Sequence, residues 1–101
     1  MVTRKSRAEI AAMRRAGRVV AEVLELVESA LKPGVSTAHL DHLAEEHLRA
    51  AGAVPSFKGY PGINPRRPFP ASLCISIDDE IVHGIPGDRV IRDGQVVSID
   101  A

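Results

Sequence analysis

The chain has 101 residues, 45% of them hydrophobic but only 3% aromatic and none tryptophan. This suits one small domain with an aliphatic core and excludes a disordered polymer. Thirteen basic residues balance thirteen acidic ones. That excludes bulk attraction to DNA or to a membrane and leaves only local basic patches, at Arg66-Arg67 and over Arg4, Lys5, Arg7, Arg14, Arg15 and Arg18.

Met1 to Ser6 leads into a charged helix rather than the apolar segment of a signal peptide, and no run approaches the ~20 apolar residues of a membrane span. Ile10, Met13, Gly17, Val20, Leu24, Val27 and Leu31 recur at steps of three and four, which predicts a helix over about 7–31 with that stripe buried. Ser6 and Glu9 form a capping box at its start, and Lys32-Pro33-Gly34 ends it. A second helix over about 37–51 is capped by Ser36 or Thr37 and stopped by Gly52, with Leu40, Leu43, Ala44, Leu48 and Ala51 on one face. Residues 54–70 hold five prolines and two glycines and read as loop, yet Phe57, Tyr60 and Phe69 are the chain's only aromatics. A solvated linker does not collect aromatics, so the loop is expected to pack and to line a site. Strands follow at about 72–77, 81–83 and 96–101, the first two expected as a hairpin turning at Asp78-Asp79-Glu80.

Three groups carry candidate chemistry. His42 to His47 spells His-x-x-Glu-Glu-His, but a zinc helix places its histidines four apart, and five residues separate these by ~140°. His47 then falls on the apolar face, while His39, His42 and Glu46 share the polar one. Asp100 has apolar strand neighbours, so its carboxylate is either a site residue needing a cation or a strand-end cap. His83 precedes Gly84-Ile85-Pro86, where the backbone must turn sharply, and reads as structural or as a site residue. Cys74 has no partner for an internal disulfide, which fits a reducing cytoplasm. No phosphate loop is present.

Together these residues resemble the methionine aminopeptidases of bacterial type. The resemblance runs through Met13-Arg14-Arg15-Ala16-Gly17-Arg18, Lys32-Pro33-Gly34-Val35-Ser36-Thr37 and Pro55-Ser56-Phe57-Lys58-Gly59-Tyr60. It continues through Phe69-Pro70-Ala71-Ser72-Leu73-Cys74-Ile75-Ser76, Val82-His83-Gly84-Ile85-Pro86 and Val97-Ser98-Ile99-Asp100-Ala101. It implies an α/β (α+β) chain that is the first half of a pita-bread fold, an incomplete domain of antiparallel strands backed by helices. In that family the position of Asp100 is the first of five protein ligands to two divalent metal ions (Co, Mn, Fe or Zn). The metals hold a nucleophilic hydroxide. The histidine matching His83 meets the substrate at the scissile amide, and positions matching Phe57, Tyr60, Phe69 and Cys74 line the pocket for the methionine side chain.

The resemblance implies a cytoplasmic metal-dependent aminopeptidase that removes the initiator methionine from nascent proteins, acting on N-terminal methionyl peptides without specific DNA binding. Two departures stand out. Ile63-Asn64-Pro65-Arg66-Arg67-Pro68 reads as an insertion in the pocket loop. Arg66-Arg67 is either a solvated tip, the favoured reading, or a contact with the nascent chain or the ribosome. The remaining family ligands fall beyond Ala101, so the chain reads as an N-terminal part of a longer protein, inactive alone. The rival readings are a non-catalytic pita-bread protein binding peptide or ribosome, and a proline-specific dipeptidase.

Overall fold

The computed structural model describes all 101 residues, in the order α1 (Arg7–Ala30), α2 (Thr37–Ala50), β1 (Cys74–Ile77) and β2 (Val97–Asp100). Helix α1 begins where its capping box predicts. The Glu9 amide donates to Ser6 Oγ at 3.2 Å, and the Ser6 amide donates to Glu9 Oε2 at 2.6 Å. Ser36, not Thr37, caps α2 by accepting from the His39 amide at 3.1 Å. Thr37 has another task. Its Oγ1 accepts from the Gly87 amide at 2.8 Å and donates to the Gly87 carbonyl at 3.1 Å. Backbone bonds from Gly34, Thr37 and Ala38 to Ile91, Arg89 and Gly87 complete this seam between the α2 start and residues 87–91.

The core is aliphatic, as the composition requires. Val23 and Val27 of α1 meet Leu40, Ala44 and Leu48 of α2, with Leu73, Ile75, Ile77 and Ile91 closing the cluster. The stripe predicted for α1 is displaced. Val19, Val23, Val27 and Ala30 face the core, whereas Ile10, Met13 and Leu24 are 47%, 59% and 38% exposed. Both stripes satisfy a three-four spacing. The choice between them is made by what covers the helix: α2, at about 21 Å, is much shorter than α1, at about 36 Å, and only the second half of α1 is packed.

β1 and β2 pair antiparallel as Cys74↔Asp100, Ile75↔Ile99, Ser76↔Ser98 and Ile77↔Val97. One face carries Ile75, Ile77, Val97 and Ile99 to the helices, and the other carries Cys74, Ser76, Ser98 and Asp100. The expected return strand at 81–83 does not form, and the sheet has two strands. His83 adopts φ +60°, a left-handed conformation that cannot continue a pleat, so residues 81–84 form a crossing segment that touches the free edge of β1 through single contacts instead of pairing along it. The Ile75 amide donates to the Gly84 carbonyl at 2.9 Å, and the Gly84 amide donates to buried Ser76 Oγ at 3.0 Å. Ile81 and Val82, which read as strand, are left exposed.

Asp41 anchors the sheet to α2: its Oδ1 accepts from the Ser72 and Leu73 amides at 2.9 and 2.7 Å. Both of those residues are buried. Asp41→Ala strands two amides away from water and is expected to cost about 2–3 kcal/mol in a urea titration. A loss under about 0.5 kcal/mol would show that other acceptors or water serve them.

Lys58 Nζ ties the following loop back to α2, 2.8 and 2.9 Å from the two Glu45 oxygens, with Arg49 Nη2 at 3.2 Å from one of them. The Lys58 hydrogen bond, aided by Arg49 and opposed by desolvation, holds the Glu45 carboxyl below its usual range. A lowered folded pKa contributes stability that is present above the ordinary glutamate value and lost as pH falls through the folded one. Lys58→Met is therefore expected to flatten the decline in melting temperature below about pH 4.3. An unchanged slope would remove the pair from the acid response.

Candidate functional site

On the polar face of the β1–β2 pair lies a cleft of about 120 Å³, lined by Cys74, Ser76, Ile81, Val82, His83, Ser98, Ile99 and Asp100. Three segments build it. β1 contributes Cys74 and Ser76, β2 contributes Ser98 and Asp100, and the crossing segment supplies Ile81, Val82 and His83. Strand alternation puts the first four on one side, and the Cys74↔Asp100 pairing sets thiol and carboxylate opposite each other. Burial pushes the Cys74 thiol up, and the charge of Asp100 adds to the rise.

The position of Gly84 determines that of His83. A Cβ at Gly84 would lie 1.9 Å from the Ile75 carbonyl oxygen and 2.9 Å from Ser76 Cα. Only glycine lets the crossing segment sit this low on β1, and the two hydrogen bonds of Gly84 hold His83 at the cleft rim.

Cys74, His83 and Asp100 are thus brought together. Phe57, Tyr60 and Phe69 are not among the cleft residues. Phe57 and Phe69 pack edge to face with ring centroids 6.4 Å apart, while Tyr60 is 65% exposed. The Gly59 amide donates to the Phe69 carbonyl and the Phe69 amide to the Tyr60 carbonyl, so the loop closes on itself with residues 61–68 outside. Asp100 also departs from expectation: it is exposed. Its apolar sequence neighbours point to the opposite face, so its carboxylate meets solvent rather than hydrocarbon. Ser76, Ser98, Ile81, Val82 and Ile99 are cleft residues that sequence reasoning missed. For the two serines the signal was present, since they alternate with Cys74 and Asp100, but it becomes legible only once the strands are paired.

The helical histidines are engaged elsewhere. His42 Nε2 lies 3.2 Å from Glu46, and His47 Nε2 lies 2.8 Å from Glu22 of α1. No group of three or more His, Cys, Asp or Glu side chains in the molecule could hold a metal ion. Asp100 is the only carboxylate in the cleft. The donor set of these residues alone therefore does not fit a metal pair. No helix is long and apolar enough to cross a membrane.

The sequence pattern of metallopeptidase family M24 matches residues 11–101. The chain belongs to that family. It is 47% identical over 100 residues to methionine aminopeptidase 1 of Bacillus subtilis, covering 99% of this chain and 38% of the relative. Methionine aminopeptidase of Clostridium acetobutylicum is 48% identical over 101 residues, with the same two coverages. Among solved structures, methionine aminopeptidase from Rickettsia prowazekii superposes with a TM-score of 0.89 at 33% identity, covering 99% of this chain and 38% of that one. The Thermotoga maritima methionine aminopeptidase superposes with a TM-score of 0.87 at 32% identity, covering 98% and 38%. The chain therefore spans little more than a third of these relatives, and its two helices and small sheet are a part of the family's pita-bread domain.

Proposed function

We propose that this M24 chain is the part of a cytoplasmic methionine aminopeptidase that supplies the substrate-facing histidine and one metal ligand. The observation that carries the reading is the convergence of His83 and Asp100, from separate segments, on one cleft of a family M24 chain. In this reading Asp100 provides one carboxylate to a pair of divalent ions, drawn from Co, Mn, Fe or Zn, whose other ligands lie outside these residues. Bound there, the ions would polarise the peptide carbonyl and activate water. His83, on a crossing segment fixed by Gly84, offers an imidazole to the amide nitrogen of the scissile bond. Cys74 contributes a small polarizable wall for an unbranched thioether side chain. Phe57, Phe69 and Tyr60 would join the methionine pocket through their neighbouring loop. The substrate class is a peptide with N-terminal methionine and a small second residue, and the ribosome is the source of such chains.

The test is methionine release from a Met-Ala peptide by the complete protein, with each of the four metals added to chelator-treated enzyme. Metal-restored release supports the reading. Hydrolysis of an X-Pro dipeptide in its place would assign the dipeptidase chemistry. Peptide binding without turnover under every metal would leave a binding protein.

A further inference from the structure

The amides of Ile75 and Ile77 lie two residues apart on β1, so both point away from β2, toward the free edge. The Ile75 amide is taken by the Gly84 carbonyl. The Ile77 amide is taken by a side chain. It donates to Glu80 Oε1 at 3.0 Å, while the Glu80 amide donates back to the Ile77 carbonyl at 3.1 Å. Residues 81–83 therefore form an arch between two footings on one strand edge, Glu80 and Gly84. His83, at φ +60°, is the last residue of that arch.

The Glu80 footing has a support of its own. Arg89 Nη1 lies 2.6 Å from the same Oε1 that holds the Ile77 amide. The backbone of Arg89 is fixed from the other side, its carbonyl accepting from the Thr37 amide at 2.9 Å. One line of bonds thus runs from the first residue of α2 through Arg89 and Glu80 to buried Ile77. It brackets the arch, because Glu80 precedes residues 81–83 and Arg89 follows them. As a stabilising ion pair the contact is poor: the Glu80 and Arg89 side chains are 39% and 51% exposed, and pairs so placed contribute little. Two donors on one carboxylate oxygen do something else. They fix the direction of a side chain that a lone surface glutamate would leave free.

We propose that Glu80, oriented by Arg89, is a positioning residue that sets the His83 imidazole at the cleft, a role that rests on the reading of His83 as the group facing the scissile amide. Gly84 fixes only one end of the arch. Asp78 is held to Val96 by bonds of 2.8 and 2.9 Å, so without the Glu80 carboxylate the next firm footing lies two residues further back. Only the longer turn bond of the Glu80 amide stands between. The left-handed turn at His83, which a residue with a side chain adopts at a cost, is then free to relax. A displacement of about 1 Å at a reacting group can cost about 100-fold in rate. Neither Glu80 nor Arg89 lines the cleft, so their effect passes through His83.

The experiment measures kcat and KM for methionine release from a Met-Ala peptide by the complete, metal-restored protein. Beside it, the Cε1–H signal of His83 is followed by proton–carbon NMR of the metal-free protein, assigned by its absence from a His83→Ala variant. Glu80→Ala is expected to lower kcat by about tenfold with KM within about twofold. Glu80→Gln, which keeps an acceptor for the Ile77 amide, should restore at least about half of the parental kcat. Arg89→Ala, at an exposed position whose backbone bond to Thr37 stays in place, should lower kcat by about threefold, and no further in the Glu80→Ala background. The His83 signal should shift or broaden in Glu80→Ala and return in Glu80→Gln. A role in stability alone would lower the melting temperature and leave kcat and the signal of the folded protein where they were, which overturns the proposal. Parental kcat in Glu80→Ala and Arg89→Ala beside an inactive His83→Ala overturns it too, and leaves the reading of His83 intact. Parental kcat in His83→Ala removes that reading instead, and positioning is then decided by the His83 signal: moved in Glu80→Ala it holds, unmoved it falls.

Discussion

Gly84→Ala is expected to lower the stability of the complete protein by about 4 kcal/mol or more, near the top of the range for single substitutions. The new methyl would overlap the Ile75 carbonyl, with 1.9 Å to its oxygen and 2.6 Å to its carbon. Those atoms belong to a strand buried on both sides, so neither can give way as a side-chain tip would. Relief requires lifting the crossing segment, which breaks the Ile75–Gly84 and Gly84–Ser76 hydrogen bonds and uncovers the polar face of β1. A thermal melt should show a drop of about 10 °C. His83 would move with its neighbour, so methionine release should fall in whatever fraction remains folded. A melting temperature within about 2 °C of the parent would mean that this segment does not rest on β1 as described.

Asp100→Asn is expected to behave in the opposite way. The residue is exposed, pairs through its backbone with Cys74, and keeps its shape on substitution, so stability should change by less than about 0.5 kcal/mol. With Asp100 in the proposed role of metal ligand, methionine release by the complete protein should fall by more than about 100-fold, since even groups that merely support a metal ligand are worth 10–100-fold. Metal content by mass spectrometry should fall with it. An Asp100→Asn protein with parental metal content and turnover would remove this carboxylate from the chemistry. The two substitutions would separate loss of the site's frame from loss of a proposed ligand.

Much of the local structure was legible. Ser6 with Glu9 and Ser36 with Gly52 mark helix limits through groups that must satisfy open amides and carbonyls, a requirement that does not depend on the rest of the fold. What depended on tertiary partners was not. Ile10, Met13 and Leu24 were as good a stripe as Val19, Val23 and Val27 until α2 took its place. Ile81 and Val82 carry strand propensity, but the left-handed turn at His83 and the glycine contact after it override that preference. Spacing alone left Asp100 and His83 open. They share a cleft because residues 74–77 pair with 97–100 and Gly84 seats His83 against β1, and such long-range contacts leave no local trace in composition. Family resemblance therefore pointed to them before physical reasoning could.

The seam at the start of α2 has a consequence for how the chain assembles. Thr37 is bonded to Gly87, fifty positions later. At a synthesis rate of about 5–20 residues per second, that partner emerges several seconds after Thr37 does. The α1–α2 hairpin is local and can close within microseconds. Until Gly87 arrives, Thr37 must find its hydrogen bonds in water, and Asp41 waits in the same way for the Ser72 and Leu73 amides. During translation the helical pair therefore stands as a waiting platform, with an apolar side open to chaperones or to collapse. The cleft, built only from residues 74–100, is the last part of this chain to take shape.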